Sequence, residues 1–130
     1  MTVVDASALI ELLLGTPAAT TVEERLFAPG ETLHAPQLLD VEVAHVLRRY
    51  AARGQIDSER GRLTLVDLAD LPMRRYPHNS LLPRIWQLRD GLTAYDAAYV
   101  ALAEALGAPL LTRDRRLAAA GGHRATIELA

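Results

Sequence analysis

The chain of 130 residues contains no cysteine. That excludes disulfides, a thiolate nucleophile, cysteine-ligated zinc and iron–sulfur clusters. Lysine is absent too, so all 14 basic residues are arginine. A Walker A phosphate loop and Schiff-base chemistry each need a lysine, and neither is available. Aromatic residues are few, with one Trp and one Phe, so the core must be aliphatic. No apolar run approaches the ~20 residues of a membrane-spanning helix. The apolar start is interrupted by Asp5 and lacks the basic segment of a signal peptide. The net charge is only -2. No global basic field draws in nucleic acid, so any phosphate-binding surface must be local or built around a metal.

What is present is ordinary globular composition, 50% hydrophobic and 23% charged. The length predicts one domain over residues 1–130, and the expected setting is soluble and cytoplasmic. Scattered Gly and Pro residues punctuate short apolar runs that alternate with helical patterns. Strands are expected at Thr2–Val4, Thr32–Ala35, Met73–Tyr76, Pro109–Thr112 and Thr126–Leu129. Helices are expected at Ala6–Leu14, Ala18–Phe27, Gln37–Arg53, Ser58–Ala69 (opened by a Ser cap), Asn79–Arg89, Ala94–Leu106 and Arg115–Ala120. Strands alternating with helices imply crossover connections, hence an α/β/α layered domain with a mainly parallel sheet. Sites in such sheets form at the carboxyl ends of the strands.

Four acids stand out against that frame. Asp5 directly follows the first strand, and Asp114 follows the Pro109–Thr112 strand. Asp96 lies in the first turn of the Ala94–Leu106 helix, and Glu42 shares a helix face with Leu38 and Val46. Each has a structural explanation. Asp5 and Asp114 are placed as helix caps, Thr93 and Asp96 match a capping box, and Glu42 can reach solvent. If the four converge, repulsion becomes the issue: two carboxylates ~5 Å apart cost roughly 3 kcal/mol at an effective dielectric of 20. Protons or a cation must then intervene. An all-carboxylate site suits Mg²⁺ or Mn²⁺, which can activate water and neutralise a phosphate under attack. Arg113, Arg115 and Arg116 flank Asp114 and suit phosphate oxygens.

Val3-Val4-Asp5-Ala6-Ser7-Ala8-Leu9 resembles the opening of a PIN domain. Leu39-Asp40-Val41-Glu42-Val43, Leu92-Thr93-Ala94-Tyr95-Asp96-Ala97-Ala98-Tyr99 and Leu110-Leu111-Thr112-Arg113-Asp114 resemble its second, third and fourth acidic segments. The order and length are those of the small VapC-type toxins, and the likeness runs from about Val3 to Leu117. The resemblance implies a five-stranded parallel sheet and a Mg²⁺- or Mn²⁺-dependent endoribonuclease. It also implies a homodimer and a cognate VapB-type antitoxin. Carried over by position, Asp5, Asp96 and Asp114 bind the metal and Glu42 completes the catalytic quartet. Ser7 and Thr112 are then hydrogen-bond partners behind the metal ligands, and Asp40 is an exposed bystander. No side-chain nucleophile is needed, in keeping with the missing cysteine.

Other readings are weaker. A receiver domain and a haloacid-dehalogenase-like phosphatase both want a late lysine, and the latter also wants an acid where Ser7 stands. No G-x-G-x-x-G marks a dinucleotide site. Glu42 and His45 form one E-x-x-H pair, where a di-iron bundle uses two. His34, His78 and His123 show no zinc spacing and receive no role. A housekeeping nuclease without an antitoxin and a catalytically silent binding module remain as alternatives on the same fold. Leu9, Leu12, Leu13 and Leu14, and likewise Leu82, Ile85 and Trp86, are expected either in the core or on a partner surface.

Overall fold

Thr2, Val3 and Val4 are each fully buried. Burial on both faces is what a central parallel strand demands, and β-branched side chains fill it well. The computed structural model describes all residues, Met1–Ala130. The chain runs β1 (Thr2–Val4), α1 (Ala6–Leu14), α2 (Ala19–Leu26), β2 (Leu33–Pro36), α3 (Leu38–Ala52), α4 (Ser58–Asp70) and β3 (Met73–Tyr76). A 3-10 turn (Asn79–Leu81) leads into α5 (Leu82–Gln87), then α6 (Ala94–Leu106), β4 (Leu110–Thr112), α7 (Arg115–Ala119) and β5 (Ile127–Leu129).

The five strands form one sheet in the order β3-β2-β1-β4-β5. Every pairing is parallel, with Val3 set against His34 of β2 on one side and Leu110 of β4 on the other. α1 packs against α2, α3 and α4, whereas α6 packs against α5 and strands β1, β2 and β4, and α7 against β4 and β5. Two helical layers therefore enclose the sheet, as right-handed crossovers running in opposite directions require. The chain leaves β1 toward β2 and β3, then crosses back to β4 and β5. The order thus reverses between β1 and β4, and the crevice at their carboxyl ends is where such folds place a site. No helix is long and apolar enough to cross a membrane.

One cluster of 24 buried apolar residues spans both layers. α6 contributes Ala97, Tyr99, Val100, Leu102 and Ala103 to it, and Ala98 and Ala101 are buried as well. Left-handed glycines, Gly15 at φ 64° and Gly107 at φ 62°, close α1 and α6, a conformation that costs other residues about 1 kcal/mol or more.

Two local expectations change and one open alternative is resolved. The helix expected from Asn79 to Arg89 breaks into the 3-10 turn and the short α5, because Pro83 brings no N–H and fits only a first turn. The cap of α4 is Asp57, whose side chain accepts from the Arg60 N–H at 2.7 Å, rather than Ser58. Of the two placements open for Trp86, core or surface, the structure shows the surface: it is 67% exposed, with the Arg89 guanidinium 4.5 Å above its ring. His34 proves to be a buried strand residue that bonds Thr32 through Nε2 and the Tyr76 hydroxyl through Nδ1.

The far end of α6 carries a strong ion pair. Arg84 Nε and Nη2 donate to the two oxygens of Glu104 at 2.7 and 2.9 Å, and the Arg124 N–H donates to the same carboxylate. The Arg84 bonds hold the Glu104 carboxyl down at about 2. A depressed carboxyl stabilises the fold above its unfolded value and loses that contribution as pH falls through the folded one. Glu104→Gln is therefore expected to cost about 2 kcal/mol at pH 7 and to flatten the acid loss of stability between pH 4.5 and about 2. Urea unfolding at pH 7 and pH 3 reads both effects, and a variant as stable as the parent at pH 7 contradicts them.

Candidate functional site

Asp5 sits at the first peptide beyond β1 and caps α1. It is only 6% exposed, so its charge must be met by hydrogen bonds. Oδ1 accepts from the Ser7 hydroxyl at 2.7 Å and the Ala8 N–H at 3.2 Å, and Oδ2 accepts from the Thr112 hydroxyl at 2.6 Å. Each of these hydroxyls has one proton and gives it to Asp5. Their lone pairs then accept backbone N–H groups, Arg113 onto Ser7 and Asp114 onto Thr112, both at 2.9 Å. The two hydroxyls thus join the ends of β1 and β4 through one carboxylate.

Asp114 caps α7, its Oδ1 accepting from the Arg116 and Leu117 N–H groups. Asp96 occupies the first turn of α6, where its N–H donates to the Thr93 hydroxyl at 3.1 Å. Glu42 projects from the second turn of α3, and its Oε1 accepts from the Tyr99 hydroxyl at 2.5 Å. The capping roles of Asp5 and Asp114 are thus correct as local chemistry, whereas at α6 only the Thr93 half of the capping box forms. Such roles do not compete with a site, because a cap holds a carboxylate in place.

All four acids line one cavity of about 800 Å³ at the reversal between β1 and β4. Burial raises the pKa values of Asp5, Glu42 and Asp96 above the ordinary carboxylate range. The neighbours add to it: the Asp96 charge acts on Asp5, the Asp5 and Asp96 charges act on Glu42, and the Asp114 charge acts on Asp96. Hydrogen bonds from Ser7, Thr112 and Tyr99 offset part of this. The cavity therefore holds more negative charge than its surroundings neutralise.

No three acid or histidine side chains are gathered around a single point in metal-holding geometry. The donor chemistry nevertheless fits a hard divalent cation: the acids offer only oxygen, and their mutual repulsion favours a positive guest. Of the three arginines that flank Asp114, Arg113 lines the cavity while its Nη1 donates to the Ala130 carbonyl. Arg116 is almost fully exposed, 4.0 Å from Asp114, and Arg115 is exposed outside the cavity lining. Asp40 lies outside the cavity and is not a free surface acid: Arg75 Nε pairs with it at 2.7 Å.

Sequence reasoning missed His45 and Arg49, which line the cavity. They follow Glu42 by three and seven residues, and helical spacing on that face was the available signal. Tyr99 was also missed as a partner of Glu42. Its position three residues after Asp96 puts it on the same face of α6.

The PIN domain pattern matches residues 2–122. Ribonuclease VapC12 of Mycobacterium tuberculosis is 49% identical over 129 residues, spanning 99% of this chain and 98% of the relative. Ribonuclease VapC1 of the same organism is 47% identical over 128 residues, spanning 98% and 96%. Among solved structures, one from Pyrobaculum aerophilum superposes with a TM-score of 0.74 at 27% identity, over 97% of this chain and 81% of the other. The VapC20 toxin of M. tuberculosis, which cleaves the sarcin–ricin loop, superposes at 0.70 and 16% identity over 92% and 94%, a likeness of fold alone. The family pattern over nearly the full length and the end-to-end relatives agree with the fold and the acidic cavity, and the chain belongs to the PIN-domain family, among the VapC ribonucleases.

Proposed function

We propose that this chain is a divalent-metal-dependent endoribonuclease and the toxin of a VapBC-type pair. The observation that carries the reading is the convergence of Asp5, Glu42, Asp96 and Asp114, from four separate segments, on one cavity. In this reading residues 1–130 act as a single PIN domain in the cytoplasm, as a homodimer held in check by a VapB-type antitoxin. The relatives named as VapC ribonucleases support the activity. A Rickettsia felis VapBC2 assembly bound to a promoter DNA fragment shares the fold at a TM-score of 0.70 and 11% identity, over 98% of this chain and 97% of that one. It supports a two-component partnership.

Asp5, Asp96 and Asp114 would hold Mg²⁺ or Mn²⁺. When bound, the ion supplies Lewis acidity toward water and toward the phosphate oxygens. The protein supplies the rest. Ser7, Thr112 and the Ala8 N–H fix Asp5 in one orientation. Glu42 presents a carboxylate that can orient an attacking water and accept its proton. Arg113, at the cavity wall, pairs with a substrate phosphate, and Arg115 and Arg116 extend that basic edge along the strand of RNA.

Asp96→Asn tests the scheme most simply. It is expected to reduce Mn²⁺-dependent RNA cleavage by more than the ~100-fold that loss of an outer partner costs. Its effect on stability has the opposite sense. An acid whose folded value is raised stabilises the fold only while protonated, so ionised Asp96 at pH 7 destabilises the metal-free protein. The variant should melt at or above the temperature of the wild type without metal, while Mn²⁺ raises the wild-type midpoint far more than the variant's. Equal stabilisation of both by Mn²⁺, read by calorimetry, sinks the metal assignment.

Proton competition gives a further expectation. Because Asp5, Glu42 and Asp96 are all raised from the ordinary range, protons compete with Mn²⁺ at a higher pH than they would at free carboxyls, which titrate near pH ~4. Titration calorimetry should show Mn²⁺ affinity falling as the pH is lowered from 7 toward 4, the loss beginning above the range of free carboxyls. Constant affinity over that interval contradicts the account.

A further inference from the structure

Tyr99 is the largest of the fully buried side chains, 2% exposed in the middle of α6. Its ring belongs to the core, but its hydroxyl does not stay there: it emerges among the acids and donates to Glu42 Oε1 at 2.5 Å. That bond is the only hydrogen bond between α3 and α6, two helices that pack in opposite layers of the fold. Glu42 itself lines the cavity, and its Oε2 accepts no hydrogen bond from the protein. Without the phenol, the Glu42 side chain has three rotatable bonds and nothing polar to fix them. Rotamer freedom of that kind is what a catalytic group must lose to act in one geometry.

We propose that Tyr99 is the positioning residue for Glu42: its phenol pins Oε1, so that Oε2 alone is presented to the water and metal of the cavity. This rests on the ribonuclease reading above. Burial and the Glu42 and Asp5 charges push the phenol far above its ordinary value, so it remains a proton donor at every working pH. The bond therefore has one sense, Tyr99 O–H to carboxylate, throughout the cycle. The same side chain ties the face of α6 that carries Asp96 to the helix that carries Glu42, which couples the placement of two acids from different layers.

The experiment is a double-mutant cycle on the full chain with Tyr99→Phe and Glu42→Ala, read in two ways. Tyr99→Phe keeps the ring in the core and deletes only the hydroxyl. Should phenylalanine not be accommodated, Tyr99→Leu serves the same comparison. In single-turnover RNA cleavage with Mn²⁺, Tyr99→Phe is expected to lower the rate constant roughly 10- to 100-fold with little change in the RNA concentration for half-saturation. In the presence of Glu42→Ala the same substitution should change the rate by less than about twofold, because the group it positions is gone. Calorimetric titration of Mn²⁺ repeats the cycle without substrate: Tyr99→Phe weakens binding several-fold alone and not when combined with Glu42→Ala. A wild-type rate and wild-type Mn²⁺ affinity in Tyr99→Phe overturn the proposal, as does an equal loss with and without Glu42, which marks a merely structural residue. If the wild-type protein with Mn²⁺ cleaves no RNA, the ribonuclease reading fails by itself, and the Mn²⁺ cycle still decides the role of Tyr99.

Discussion

Like charges removed from water repel, and this fold brings four carboxylates to the end of one pair of strands. At an effective dielectric of 20, a pair ~5 Å apart costs roughly 3 kcal/mol, a large share of the 5–15 kcal/mol that typically holds a small protein folded. The structure answers in part with fixed dipoles. Asp5 and Asp114 each sit at a helix N-terminus and Asp96 lies within a first turn, positions worth about 0.3–1 kcal/mol each to an anion. The Ser7 and Thr112 hydroxyls add charge-assisted bonds to Asp5. The compensation is incomplete, since Asp5, Glu42 and Asp96 all remain above the ordinary carboxylate range. In the proposed reading that residual field is what would favour a cation in the cavity, and the surrounding architecture holds the acids in spite of it.

That requirement explains features which look unrelated. The all-parallel sheet points every strand's carboxyl end the same way, and the reversal between β1 and β4 opens a crevice there. Short helices begin directly at the strand ends, so capping residues and site residues are the same residues. Fully buried Thr112 is costly in a core strand unless its hydroxyl is used, and it is used twice, as donor to Asp5 and acceptor from the Asp114 N–H. The Arg84–Glu104 pair lies at the opposite end of α6, where a carboxylate meets two arginine N–H groups and is depressed instead of raised. Carboxyl groups thus shift in opposite directions at the two ends of one helix, Asp96 up and Glu104 down, according to their partners.

Much of this was legible in the sequence, and the reasons differ by element. The bounds of α1 and α6 follow from a cap at one end and glycine at the other, both local signals. β1 follows from three β-branched residues in a row. The four acids were found because strand ends are privileged positions and because the ordered segments resemble PIN domains. Their convergence was not derivable, since it depends on crossovers that span up to 109 positions, from Asp5 to Asp114. The partners at long range were invisible for the same reason: Asp40 looks free until β3 brings Arg75 to it, 35 residues away. The Asn79–Arg89 segment failed on a smaller scale, where helical periodicity competed with Pro83 and the proline prevailed.

The central claim is that the acidic cavity is a cation site. Anomalous diffraction at the manganese edge, from crystals of the full chain soaked in Mn²⁺, tests it most directly. The account predicts a manganese peak within bonding distance of carboxylate oxygens from Asp5, Asp96 and Asp114. Manganese bound only elsewhere on the surface, with the cavity filled by water and its acids still apart, would contradict it.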